Sequence, residues 1–88
     1  MRQLVVSNRF KKQLKNFLIK HPELRGVFKE KLDILQKNPL DKRLKTHKLT
    51  GKLKKCHAIS ITHEYRLILY FENQNIYLLA VGSHDEVY

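Results

Sequence analysis

Cys56-His57-Ala58-Ile59-Ser60-Ile61, followed by Tyr65-Arg66-Leu67-Ile68-Leu69-Tyr70-Phe71, is where the hydrophobic pattern of this chain changes from a helical to a strand period. The first segment alternates, with one mostly apolar face. The second is apolar on both faces, as expected of a strand in the middle of a sheet. Ile76-Tyr77-Leu78-Leu79-Ala80-Val81 supplies a third strand, and Thr62-His63-Glu64 and Asn73-Gln74-Asn75 are the turns between them, so the second half reads as an antiparallel meander.

Upstream, the period is that of a helix. Gln3 to Val6 predicts a short strand ended by Ser7, whose side-chain oxygen can accept from the free amides of a helix starting at Asn8. Phe10, Leu14, Phe17 and Leu18 mark one face of that helix, and Lys11, Lys12, Lys15 and Asn16 the other. His21-Pro22 ends it, because a proline ring disfavours helical geometry in the preceding residue, while Pro22 suits the first turn of a second helix. Leu24, Val27, Phe28, Leu32 and Leu35 form the buried stripe of that second helix, which Asn38-Pro39 stops. The order β-α-α-β-β-β predicts a single α+β domain over residues 1–88, with a helical hairpin packed on one face of a four-stranded sheet whose last three strands form an antiparallel meander.

Net charge is +10, from 18 Lys and Arg against 8 acids. Such an excess predicts a polyanionic or acidic partner, nucleic acid or an acidic protein. All the basic residues lie at or before Arg66, and the densest block, Lys42 to Lys55, holds seven of them with no acid. Leu44, Leu49 and Leu53 punctuate that block, so it reads as a partly docked loop and not a free tail. Cys56 is the only cysteine, which excludes an intrachain disulfide and suits a reducing compartment; within an apolar alternation it reads as a small buried hydrophobe. No apolar run approaches a membrane span or a secretory leader, so the expectation is a cytoplasmic protein with no membrane partner.

There is no Gly-rich phosphate loop, no cysteine pair and no Gly-x-Ser-x-Gly. The five histidines, His21, His47, His57, His63 and His84, lack the short paired spacings of a zinc site, so no metal is expected. His21 reads as a helix-boundary residue; packing or solvent contact accounts for His57 and His63. The inferred topology brings Arg66, His84 and His47 toward one sheet edge. Arg66 opens the central strand, and a guanidinium embedded in an apolar run calls for an anionic partner such as a phosphate. His84 follows the neighbouring strand at the end lying beside the start of the Arg66 strand. Imidazole is the side chain whose ordinary pKa lies near neutrality, so a proton-transfer role is open to it.

His47-Lys48-Leu49-Thr50-Gly51, Cys56 to Ile61, Tyr65-Arg66-Leu67-Ile68-Leu69-Tyr70 and Val81-Gly82-Ser83-His84-Asp85-Glu86-Val87-Tyr88 together resemble the RelE/ParE superfamily of bacterial toxins, nearest to its YafQ-like and YoeB-like messenger RNA interferases. The resemblance implies the toxin of a type II toxin–antitoxin system, a ribosome-dependent endoribonuclease that cleaves messenger RNA in the A site by 2′-hydroxyl attack, with no metal or other cofactor. It implies His47 as general base, Arg66 as stabiliser of transition-state charge, His84 as general acid and Tyr88 as the ring contacting the substrate base. Lys45, Lys48, Lys52, Lys54 and Lys55 would contact RNA phosphates. Positions that carry lysines in RelE are Ala58 and Ser60 here. His63 and Glu64 are the nearest counterparts of the strand histidine and the aspartate of YafQ-like members. The implied partners are the ribosome, messenger RNA and a cognate antitoxin, acidic or amphipathic, encoded by an adjacent gene. Two other readings use the same residues: a ParE-like gyrase inhibitor that cuts no RNA, and a basic nucleic-acid-binding domain without activity.

Overall fold

The computed structural model describes residues 2–88. The first strand, β1, is Gln3–Val6. Ser7 follows in extended geometry, and its hydroxyl oxygen accepts from the Phe10 amide at 3.0 Å, starting α1, Asn8–Lys20. His21 breaks the helix before Pro22, as the sequence predicts. Pro22 itself opens a single 3₁₀ turn, Pro22–Leu24, and α2 runs Arg25–Lys37, three residues later than expected. The chain must reverse there within a few residues, and the tighter helix turns it more sharply than an α-helical turn could.

The strands form one five-stranded sheet in the order β1-β5-β4-β3-β2. Strands β3 (His57–Ser60), β4 (Tyr65–Glu72) and β5 (Asn75–Ser83) are the expected antiparallel meander, and β1 joins the outer side of β5 in parallel, Gln3 opposite Asn75 and Val6 opposite Leu78. The sheet has one strand more than predicted: β2, His47–Lys48, lies in the basic stretch and pairs antiparallel with β3. Nothing in two polar residues announces a strand; the pairing partner on β3 creates it.

The two faces of the sheet are covered unequally. On one, α1 and α2 bury Phe10, Phe17, Phe28, Ile34 and Leu35 against Ile59, Leu67, Leu69, Ile76, Leu78 and Val81, with Leu44 completing the cluster. On the other, Leu49, Ala58 and Ile68 form a small second cluster, flanked by Leu53, Cys56, Ala80 and Val87. Cys56 is therefore half-buried beside this second cluster.

Alternation along β5 changes phase once. Ile68 pairs with Ala80 but Leu69 pairs with Leu78, so Leu79 is an extra, exposed residue and a β-bulge. Before it, Ile76 and Leu78 face the helices; after it, Val81 does, and Ala80 turns to the other face. Beyond Leu78, β1 has ended, and the side chain of Gln13 in α1 takes its place: its Oε1 accepts from the Val81 amide at 3.1 Å. Among the described residues no helix is long and apolar enough to cross a membrane.

Candidate active site

The site lies on the thinly covered face, where the basic stretch and the last turn of the chain meet. Asp41 caps a 3₁₀ turn, Lys42–Leu44, whose Leu44 is fully buried in the helical-side core. Arg43 donates from its side chain and its amide to Asp41 at 2.9 Å, and these bonds hold the Asp41 carboxyl down at about 2. Lys45 then adopts a left-handed backbone, φ 51°, which turns the chain into β2. Leu49 is buried on the second face, and its amide donates to the Cys56 carbonyl at 3.0 Å. Gly51, φ 69°, starts the following 3₁₀ turn, Gly51–Leu53. The Leu-x-Gly element thus consists of an anchor and a left-handed turn residue.

At the other side of the site, β5 runs into a four-residue helix, α3, His84–Val87. The sequence reading leaves this segment without structure, although Ser83-His84-Asp85-Glu86 carries the Ser-x-x-Glu signature of a capping box. The Glu86 amide donates to Ser83 Oγ at 3.3 Å, and the Ser83 amide donates to Glu86 Oε1 at 2.8 Å. These bonds to Ser83 keep the Glu86 carboxyl below its ordinary range, and the charges of Lys20 and His21 act the same way. The Tyr88 amide donates to the His84 carbonyl at 3.0 Å, and Val87 packs against the second cluster. Gly82 lets α3 lie this close: a Cβ there would meet Glu86 Cβ and Oε1 at 3.2 Å and Val87 Cγ1 at 3.3 Å.

Tyr88 joins the parts. Its hydroxyl lies 3.4 Å from His47 Nε2, across 41 residues of sequence, and its ring meets the His84 ring edge-on with centroids 4.2 Å apart. The other ring nitrogen of His47, Nδ1, is 3.3 Å from the Lys45 carbonyl. A carbonyl can only accept, so Nδ1 carries the proton in the neutral ring and Nε2 is left with a lone pair toward Tyr88. Burial raises the Tyr88 phenol above its usual range and the Arg66 charge opposes that rise, so the hydroxyl is protonated near neutrality and can donate to Nε2. His84 is exposed, with Nδ1 3.7 Å from the Asp85 carboxylate. His47, Lys48, Leu49, Thr50, Lys52, Leu53 and Tyr88 line an open groove of about 520 Å³.

Arg66 pairs with Gly82 across the sheet, on the same face as Ile68. The sequence argument gives it an anionic partner; the chain itself supplies neutral ones. Its Nη1 donates to the carbonyls of Thr62 at 2.9 Å, His63 at 3.0 Å and Tyr65 at 3.4 Å, and reaches Ser60 Oγ at 3.5 Å. Carbonyl dipoles offset desolvation but leave the net charge in place, available to an incoming anion.

Of the five lysines expected to contact RNA, Lys48 and Lys52 line the groove, while Lys45, Lys54 and Lys55 are exposed outside its lining. His63 and Glu64 lie exposed in the β3–β4 turn. His57 packs edge-on against Phe71 on the helical side, where burial lowers its pKa, with the charges of Lys48 and His47 adding to the shift. His21 ends α1 between the rings of Phe17 and Tyr65. Among the described residues no group of three or more His, Cys, Asp or Glu side chains is gathered as a metal site. Ser83, Glu86 and Gly82 are the site-building residues that the sequence reading passes over.

Residues 2–88 match the family described as bacterial toxin of type II toxin–antitoxin system, YafQ. A copper-bound mutant toxin from Helicobacter pylori is 28% identical and superposes with a TM-score of 0.84, each chain covered completely. YafQ from E. coli strain BL21(DE3) is 20% identical with a TM-score of 0.83, over 100% of this chain and 99% of that one. The same holds for the toxin in the E. coli DinJ–YafQ complex, at 20% identity, a TM-score of 0.81 and the same coverage. No curated protein sequence matches the chain. With the family matched from end to end and the RelE-like α+β fold reproduced around the groove, the chain belongs to the YafQ family of type II toxin–antitoxin toxins.

Proposed function

We propose that this toxin is a ribosome-dependent endoribonuclease that cuts messenger RNA in the A site and so stops translation. The observation that carries the proposal is the trio at the basic groove: His47 and Tyr88 in its lining, with the Tyr88 hydroxyl 3.4 Å from His47 Nε2, and His84 edge-on to the Tyr88 ring. His47 Nε2 takes the proton of a ribose 2′-hydroxyl, and the resulting oxygen attacks the adjacent phosphorus. His84, protonated, gives its proton to the departing 5′-oxygen, leaving a 2′,3′-cyclic phosphate and a 5′-hydroxyl. The Arg66 guanidinium stabilises the added charge on the phosphorane-like transition state. Tyr88, held as a neutral phenol, orients or stacks on the substrate base. Lys48 and Lys52 in the groove, with Lys45, Lys54 and Lys55 around it, hold RNA phosphates, which position the strand without reading its sequence. Only side chains act in these steps.

The test is an in vitro translation reaction read by primer extension. Wild type gives cuts at the A-site codon, and His84→Ala loses them. Absence of cuts with folded wild-type protein, or undiminished cuts with His84→Ala, overturns the proposal; accumulation of cleaved DNA in a gyrase assay with translation intact would favour the ParE-like reading.

The same proposal includes a cytoplasmic antitoxin, acidic or amphipathic and encoded next to the toxin. An excess of ten positive charges needs a complementary partner, and a DinJ–YafQ complex is the precedent in a relative. Expression of the toxin alone halts growth and co-expression with the neighbouring acidic protein restores it; normal growth with folded free toxin contradicts this.

A further inference from the structure

We propose that Glu86 is a positioning residue, whose carboxylate closes the turn that aims His84 and Tyr88 at His47; the catalytic consequence rests on the ribonuclease reading above. A four-residue helix has no stability of its own, since ordering its backbone costs more than one helical turn returns. Something must hold α3, and the contacts converge on Glu86. Its carboxylate accepts from the Ser83 amide at 2.8 Å, the shorter half of the reciprocal cap, and a charged acceptor makes the stronger bond. Its side chain sits where Gly82 has no Cβ, so the turn folds back onto β5 at van der Waals range. It also faces α1 across a cleft shared with Gln13, Asn16, Lys20 and His21.

His84 and Tyr88 flank Glu86 at two residues on either side. Val87, next to it, reaches into the second cluster. A turn pinned at Glu86 and at Val87 has no freedom to swing, so the His84–Tyr88 pair is presented in one orientation. Glu86 acts through the backbone of the turn, by its bond to the Ser83 amide.

Three purified variants test this: Glu86→Ala, Glu86→Gln and Ser83→Ala. Two measurements are made on each, the A-site cleavage rate at saturating ribosomes with the apparent ribosome affinity, and the NMR ring-current shift that Tyr88 imposes on the His84 ring protons. Misplacement on the order of 1 Å costs up to about 10²-fold in rate. Glu86→Ala should lose about 10- to 100-fold in saturating rate, keep ribosome affinity within about twofold, and lose the ring-current shift. Glu86→Gln, whose amide oxygen still accepts from Ser83, should recover most of the rate and of the shift. Ser83→Ala should lie between.

A wild-type rate in Glu86→Ala, or an unchanged shift, overturns the proposal; so does equal loss in Glu86→Gln and Glu86→Ala. Should Glu86→Ala not fold, Ser83→Ala decides by the same criteria. If wild type itself makes no cuts, the ribonuclease reading fails, and the ring-current shifts still decide whether Glu86 orders the pair.

Discussion

The helices bury one face of the sheet under more than a dozen fully or nearly fully covered apolar side chains, whereas the other face has three, Leu49, Ala58 and Ile68, under a loop and a single turn. Each well-buried Leu, Ile or Phe contributes roughly 1.5–3 kcal/mol, so nearly all of the hydrophobic stabilisation lies on the helical side. The site lies on the other. That division lets the groove stay open and basic without placing its charges against the structure that keeps the chain folded. It also separates the histidines: His57, beside Phe71 on the helical side, is driven toward neutrality by burial, while His47 and His84 stand exposed at the groove end of the molecule.

The comparison can be broken first where the effect should be largest. Phe10→Ala, at a fully buried position on the helical side, should cost about 3–5 kcal/mol in urea unfolding, and activity should vanish only because the protein unfolds. His47→Ala should do the reverse: cleavage falls about 10²- to 10⁴-fold with an unchanged unfolding midpoint. Loss of stability in His47→Ala as large as in Phe10→Ala would erase the distinction. Leu49→Ala probes the boundary, because Leu49 anchors the strand that carries His47; about 2 kcal/mol of stability should go, with a loss of cleavage larger than that stability loss explains.

Smaller effects sharpen the picture. Ser7→Ala removes the acceptor for the Phe10 amide and should cost about 1 kcal/mol, or roughly 4–8 °C in Tm, with cleavage at permissive temperature intact. The smallest effect concerns pH. Because the folded-state pKa of His57 lies below its unfolded value, the unfolded chain binds more protons as pH falls below about 6.5, so the His57 contribution is present above that pH and is lost on acidification. Urea midpoints between pH 7.5 and 5 should fall more steeply for wild type than for His57→Leu; parallel curves would contradict a half-buried, neutral His57.

Long periodic segments were readable in the sequence for a physical reason: burial against a partner of fixed geometry imposes its period on the residues. Phe10 and Phe17 on α1, Phe28 and Leu35 on α2, and Leu67 to Leu69 on β4 show that imprint. Ser7 was equally legible, since its job depends on chemistry within three residues. The pairing of His47-Lys48 with β3 was not, because two polar residues carry no period and the strand exists only where Ala58 and His57 offer a partner. Nor was the bulge, hidden in an uninterrupted apolar run. At the site, residue types and order pointed to His47, Arg66, His84 and Tyr88, but the His47–Tyr88 contact spans 41 residues and no local rule predicts it. The Ser83–Glu86 cap had its signature in plain view, in a segment too short for periodicity to support.

The bulge at Leu79 separates residue count from side-chain facing in β5. Deleting that one residue would leave every side chain of the groove present and the strand as apolar as before. Pairing would become regular, with Leu78 still opposite Leu69 and Ala80 still opposite Ile68, so Val81 would keep its place in the helical core, Ala80 would stay on the other face, and the turn bearing His84 and Tyr88 would remain on its present side. Deletion of Leu79 should therefore leave toxicity intact; loss of toxicity would show that the bulge itself, and not the faces it separates, holds the site.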